Sequence, residues 1–171
     1  MTVSDKSVND YLIDHSNFDW DSLLTEWKPI LPESFTVWLM NRFGDLFLVT
    51  DDGSVHQLDV GMGSFEKVAD SQNHFADLCE DPENVSDWLM IPLVDELEAA
   101  GLSLSPNQCY TYRQIPVVGG DYSVENTTVT DIAHHLNGLG RIHSQVRNLP
   151  DGSLVNVTWN PVPAESSGAS E

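Results

Sequence analysis

Apolar positions along this chain alternate in some stretches and recur at helical spacing in others, and the change of period marks out its elements. Two short apolar runs, Leu46-Phe47-Leu48-Val49 and Val55-His56-Gln57-Leu58-Asp59-Val60, flank Asp51-Asp52-Gly53. Those three residues tolerate positive φ, so the segment predicts a β-hairpin. Gly61-Met62-Gly63 turns the chain again into Ser64–Val68, completing an antiparallel meander. Gln57, Asp59, Glu66 and Lys67 alternate imperfectly with apolar neighbours, which predicts one wet face. Farther on, Cys109, Tyr110, Tyr112 and Ile115 suit a strand that Pro116 ends, because proline has no N–H for a ladder. The β-branched Thr127-Thr128-Val129-Thr130 gives Val124–Ile132 an extended preference as well.

The helical period is clearest at Ile132, Leu136, Leu139, Ile142 and Val146, interrupted only by Gly138 and Gly140 and stopped at Asn148-Leu149-Pro150-Asp151-Gly152. Ser71 is placed to cap a helix through Phe75, Leu78 and Cys79, ending near Asp81-Pro82. Trp88 to Ala100 reads as one helix with Gly101 past its end and Pro92 either in its first turn or kinking it. Asp19 or Asp21 can cap a helix bearing Leu23, Leu24 and Trp27, which Pro29 and Pro32 limit. Phe35 to Phe43, FTVWLMNRF, fits helix or strand. Together these predict a single α+β domain. In it a mostly antiparallel sheet, made of the meander and the Tyr110 and Val129 segments, carries helices packed on it. The chain divides into a leader or helical region over 1–40, the α+β domain over 41–155 and a tail over 156–171, disordered after 161. Trp38 and Trp88 are expected in the core, with Trp20 and Trp159 covering it.

Charge narrows the partners. The 171 residues hold 27 Asp and Glu against 7 Lys and Arg, a net charge of −20, of which −17 lies between Met1 and Leu104. Phosphate backbones are repelled by such a surface, so direct nucleic-acid binding is excluded, whereas a basic protein is attracted. Candidate partner-binding carboxylates are Asp51, Asp52, Asp59, Glu66, Asp95, Glu96 and Glu98, with Asp81 and Glu83 beside them. Two cysteines, Cys79 and Cys109, make no disulfide framework and read as reduced core residues. The start, MTVSDKSVNDYLID, has neither a basic n-region nor an apolar h-region, and no run approaches the roughly 20 apolar residues that span a bilayer. A soluble cytoplasmic protein without membrane contact is the expectation.

Three constellations could carry chemistry. His134, His135 and His143, with Asp121 or Asp131, could supply metal ligands, but no H-x-x-x-H occurs, and adjacent histidines on a helix diverge. His143 with Asp121 or Glu125 could do acid–base work, or pair with Cys109, yet no G-x-S-x-G turn presents a nucleophile. Gly119-Gly120 and Gly138-x-Gly140 lack the lysine of a phosphate-binding loop. The reading is therefore no enzyme, no metal and no cofactor, with exposed tryptophans among carboxylates as a binding face.

A resemblance sharpens this. Gln108-Cys109-Tyr110, Pro116 to Tyr122, Glu125-Asn126, Gly140 to Val146 and Leu149-Pro150-Asp151-Gly152 resemble the C-terminal domain of the immunity proteins of type VI secretion DNase effectors. That domain also occurs in stand-alone bacterial proteins of unassigned function. The similarity extends back to Phe43-Gly44-Asp45-Leu46-Phe47-Leu48. Its motif residues here are Gly44, Asp45, Cys109, Tyr110, Pro116, Gly119, Gly120, Tyr122, Asn126, His143, Pro150 and Gly152. The resemblance implies an immunity-type binding protein that occludes a secreted toxin, a nuclease, by protein–protein contact. The alternatives are a stand-alone regulatory interaction module, or a His/Asp- or metal-dependent enzyme. Oligomeric state is left open by the sequence.

Overall fold

Asp52 builds the hairpin predicted at Asp51-Asp52-Gly53. Its Oδ1 accepts from the Ser54 N–H at 3.0 Å, the Ser54 hydroxyl at 2.6 Å and the Thr50 hydroxyl at 2.7 Å, while Gly53 takes φ 86°. The computed structural model describes residues 6–162. Around this turn β1 (Phe35–Met40), β2 (Leu46–Thr50), β3 (Val55–Asp59) and β4 (Ser64–Ala69) form an antiparallel sheet in the order β1-β2-β3-β4. The ambiguous FTVWLM segment is thus a strand, pairing Phe35 with Thr50 and Met40 with Leu46. Asp59 ends β3 as Asp52 ends β2, by accepting the Gly61 and Met62 N–H groups, each at 3.0 Å.

The expected wet face is only partly there. Leu46, Leu48 and Leu58 are buried on one side of the sheet and Phe47 and Val55 on the other, so the central strand β2 is covered on both faces. The uninterrupted apolar run Leu46-Phe47-Leu48 follows from that double burial. Solvent reaches the sheet at β4, where Glu66 and Lys67 are exposed.

Over the Phe47 face lie α2 (Gln72–Leu78) and α3 (Pro82–Leu89), capped by the Ser71 hydroxyl on the His74 N–H and the Asp81 carboxylate on the Glu83 N–H. Phe75 and Trp88 stack at 4.6 Å and meet Phe47 edge-on, at 5.4 and 6.0 Å. The single helix expected from Trp88 to Ala100 is two. Pro92 can neither donate an N–H nor accept a helical neighbour one turn back, so the chain breaks at Met90, which takes φ 52°, and restarts as α4 (Ile91–Ala99). Gly101, at φ 90°, closes α4.

The Tyr110 and Val129 segments do not extend the first sheet. They pair only with each other, as β5 (Gln108–Tyr112) and β6 (Thr127–Asp131), in a separate two-stranded antiparallel ladder. A hydrogen bond from the Tyr110 N–H to the Arg42 carbonyl, 2.8 Å, ties this ladder to the β1–β2 connection.

The last helix, α5 (Ile132–Val146), buries Leu136, Leu139 and Ile142 against the Leu46 face of the first sheet. Its two glycines, costly in a helix interior, are sockets. A Cβ on Gly140 would lie 2.6 Å from the Glu26 Cβ and 2.9 Å from the Trp27 indole nitrogen, and one on Gly138 would overlap the Trp159 ring. Trp27, in the 3₁₀ turn that spans Thr25–Ile30 after the short α1 (Trp20–Leu23), is wholly buried and donates its indole N–H to the Leu136 carbonyl at 2.9 Å. The tryptophan at the centre is therefore Trp27, whereas Trp38 and Trp88 are only partly buried. Trp20 and Trp159 do pack over the core from outside.

Both ends of the described chain are tied down. The Ile13 N–H donates to the Met40 carbonyl at 2.8 Å. Trp159 donates to the Tyr112 carbonyl at 2.8 Å and stacks on His134. The tail is thus docked as far as Asn160, and the expectation of disorder over 163–171 lies outside the described residues.

Candidate partner-binding surface

Between Lys67 and Arg113 the chain contains no lysine or arginine. The nine acids in that interval, Asp70, Asp77, Glu80, Asp81, Glu83, Asp87, Asp95, Glu96 and Glu98, are all exposed, and eight of them lie on or between α2, α3 and α4. The fold sorts charge in this way because each helix turns its apolar stripe, Phe75, Leu89, Leu93, Val94 and Leu97, inward.

The carboxylates singled out from sequence fall in three places. Asp51 and Asp52 stand at the β2–β3 turn, Asp59 at the end of β3 and Glu66 on the edge strand β4, and Asp95, Glu96 and Glu98 on α4. Several already have internal work. Lys6 bridges Asp95, at 2.7 Å, and Glu98, and these two hydrogen bonds raise the lysine pKa. Asp95 also accepts the Tyr11 hydroxyl at 2.8 Å. Asp52 is held well below the usual carboxylate range by its bonds to Ser54 and Thr50. Asp51, Glu66 and Glu96 are exposed and accept no hydrogen bond among the described residues.

At the edge of the acidic layer a cleft of about 360 Å³ opens between the first sheet and the α3–α4 junction. Asp45, Asp59, Asp87, Met90, Pro92 and Tyr122 line it. Asp45 is 4% exposed, its two oxygens accepting the Val60 N–H at 3.0 Å and the Asn41 amide at 3.1 Å. Burial, and then the charge of Asp59, push its pKa well up. Tyr122 is half exposed, and burial followed by Asp59 and Asp45 raises its hydroxyl to about 12.

The histidines go elsewhere. His135 is fully buried, with Nε2–H donating to the Phe43 carbonyl and Nδ1 accepting the Thr111 hydroxyl, both at 2.8 Å. His143 donates to the Val60 carbonyl at 2.8 Å and packs on Trp27, and His134 bonds the Asn160 carbonyl. Among the described residues no group of three or more His, Cys, Asp or Glu side chains is placed to hold a metal ion. Cys109 is buried and its thiol pushed well up by that burial, while Asp121 accepts the Ser123 hydroxyl at 2.6 Å.

Burial holds the His135 pKa down to about 4. Its unfolded value is about 6.5, so between the two the unfolded chain binds the extra proton. The stabilisation is complete above about pH 6.5 and is lost as pH falls toward 4, by about 3 kcal/mol in all. Nitrogen-detected NMR should find His135 neutral and Nε2-protonated at pH 5.5. An imidazolium signal there would refute the assignment.

Most of the motif residues named from sequence hold the fold. Gly44, at φ 80°, lies against His135, where a Cβ would come within 2.8 Å of the ring. Asn126 clamps its loop by accepting the Gln114 N–H and donating to the Gln114 and Asp121 carbonyls. Pro116 packs on Gly61, Gly119 turns at φ 98°, Gly120 abuts the Gln114 backbone, and Tyr110 donates to the Leu102 carbonyl at 2.6 Å. Pro150 and Gly152 form the turn after α5. Tyr122 differs, being on the surface at the cleft. Asn41 and Thr111, both wholly buried and bonded to this framework, carry no periodic signal that sequence reasoning could use.

These features define an α+β protein in which His135 and His143 serve packing and in which α2, α3 and α4 expose an acidic layer that Lys6 bridges at Asp95 and Glu98. Residues 69–143 match the family model described as T6SS immunity protein Tdi1, C-terminal, a family of type VI secretion immunity proteins. The matched segment starts at the end of β4 and includes all nine acids of the interval. It is narrower than the resemblance read from the motifs, leaving Gly44, Asp45, Pro150 and Gly152 outside. No curated protein and no solved structure matches the chain. Among the described residues no helix is long and apolar enough to cross a membrane.

Proposed function

We propose that this chain is an immunity protein that binds a type VI secretion toxin, a nuclease, inside the cytoplasm and occludes its nucleic-acid-binding surface without doing chemistry of its own. The observation that carries the reading is the coincidence of the family match with nine exposed acids and no base between Lys67 and Arg113. A nuclease groove must be positive to hold phosphate, so the same potential that attracts DNA attracts this layer. Exposed Asp51 and Glu66 add to the field of these nine, Glu96 among them, and Asp52 contributes from a fixed position, while Lys6 offsets part of the charge of Asp95 and Glu98.

Steering of this kind acts on the association rate and is screened over roughly 10 Å at 0.1 M salt. With the purified toxin, association is expected to slow about tenfold between low and physiological ionic strength, and DNA should compete with the protein for the toxin. A toxin complex whose association ignores salt, or one that still binds DNA, overturns the occlusion mechanism.

A further inference from the structure

We propose that the cleft between the first sheet and the α3–α4 junction receives an arginine side chain of the partner. The inference rests on the immunity reading and deepens it by naming the group that anchors the complex.

The cleft has three kinds of wall. Carboxylates of Asp59 and Asp87 stand at its sides with Asp45 beneath, Met90 and Pro92 give an apolar surface, and the half-exposed Tyr122 presents an aromatic one. No lysine or arginine lines it. A volume of about 360 Å³ is at the small end of the roughly 300–1,000 Å³ typical of ligand pockets, which suits one long side chain better than a cofactor. A guanidinium matches these walls together. It bonds carboxylates through two edges, its plane stacks on a tyrosine ring, and its three methylenes lie along apolar surface.

A second observation concerns the aromatic and acidic groups behind the cleft. The Tyr112 ring, 1% exposed, meets the Tyr122 ring edge-on at 5.8 Å and so backs the aromatic wall of the cleft. Burial, and then the charges of Asp45 and Asp59, push the Tyr112 hydroxyl pKa well up, so the field of both carboxylates reaches this wall. The carboxylates of Asp45, Asp59 and Asp87 therefore converge on a cleft whose lining carries no compensating positive charge. An entering cation relieves the repulsion between Asp45 and Asp59 as well as forming its own bonds.

Asp45 and Asp59 are tied into the fold, so the informative substitutions are Asp87→Asn and Tyr122→Ala, both at exposed positions. The test uses the full chain and a blocked glycyl-arginyl-glycine amide, with the citrulline peptide as its neutral isostere, followed by amide NMR. The arginine peptide should shift the amides of Asp59, Asp87, Met90 and Tyr122 saturably. The citrulline peptide should not, and Asp87→Asn should weaken binding about tenfold while leaving the rest of the spectrum in place. Shifts spread evenly over Asp77, Glu80 and Glu83 would overturn the cleft while leaving the acidic layer intact. Equal binding of citrulline, or full binding by both variants, would also overturn it. Loss of salt dependence in the toxin complex would instead count against the layer alone, which separates the two ideas.

Discussion

Replacing Trp27 by alanine is expected to cost about 4 kcal/mol, within the range for deleting a buried aromatic side chain. Native domains are stable by only about 5–15 kcal/mol, so this one change would remove between about a quarter and four-fifths of the total. The indole is wholly buried, hydrogen-bonded to the Leu136 carbonyl, in contact with the His143 ring at 5.3 Å, and seated in the space that Gly140 leaves on α5. Arg141 on α5 also reaches Glu26 in the turn, Nε to Oε1 at 3.7 Å, but from an exposed position. Gly140→Ala attacks the same joint from the other side. Its methyl would press on the Glu26 Cβ and the indole, an overpacking cost of about 1–3 kcal/mol. Because the two changes share one space, Gly140→Ala should cost less in the Trp27→Ala background than alone. Denaturant midpoints followed by circular dichroism measure all three variants. A Gly140→Ala protein as stable as the parent would show that the helix and the turn are not locked in this way.

Trp27 also shows where reading the sequence succeeds and where it stops. The hairpin at Asp51-Asp52-Gly53, the Ser71 cap and the period of α5 were legible because each depends on residues within a few positions of one another. The break at Met90 was not, since Pro92 fits the first turn of a new helix as well as a kink in an old one, and the apolar run from Trp88 to Val94 continues across it. Gly138 and Gly140 look like defects in a helix until two tryptophans, one more than a hundred residues earlier and one about twenty later, are seen to occupy them. Local β-preference identified β5 and β6 but not which sheet they join. For the surface, the run without bases was present in the sequence, but its exposure on three helices was not. The cleft draws Asp45, Asp59, Asp87 and Tyr122 from four separate segments, so no spacing rule could have assembled it.

Asn41 is the residue whose loss should tell most about how the β1–β2 connection is held. It is wholly buried and uses every atom of its amide. Oδ1 accepts the Phe43 and Asp45 N–H groups at 2.9 and 3.0 Å, and the NH₂ donates to Asp45 Oδ2 at 3.1 Å and to the Trp88 carbonyl at 2.9 Å. Asn41→Ala strands two buried donors at about 1–3 kcal/mol each, an expected loss of about 4 kcal/mol. Asn41→Asp keeps the acceptor but sets a second carboxylate against Asp45, whose pKa is already pushed up by burial and by Asp59. The pair must then share a proton, so its folded pKa rises further above the unfolded value of about 4. A raised folded pKa means stability that is present in acid and lost as pH climbs through it. Asn41→Asp should therefore be about as unstable as Asn41→Ala at pH 7.5 and regain part of the difference near pH 5. There one protonated oxygen can donate to Asp45, although the Trp88 carbonyl stays without its partner. Comparing the two variants at each pH cancels the opposing loss from His135, which both share. Parallel pH profiles would mean that the Asp45 carboxylate does not feel position 41, and the connection would then depend on backbone geometry at Gly44 instead.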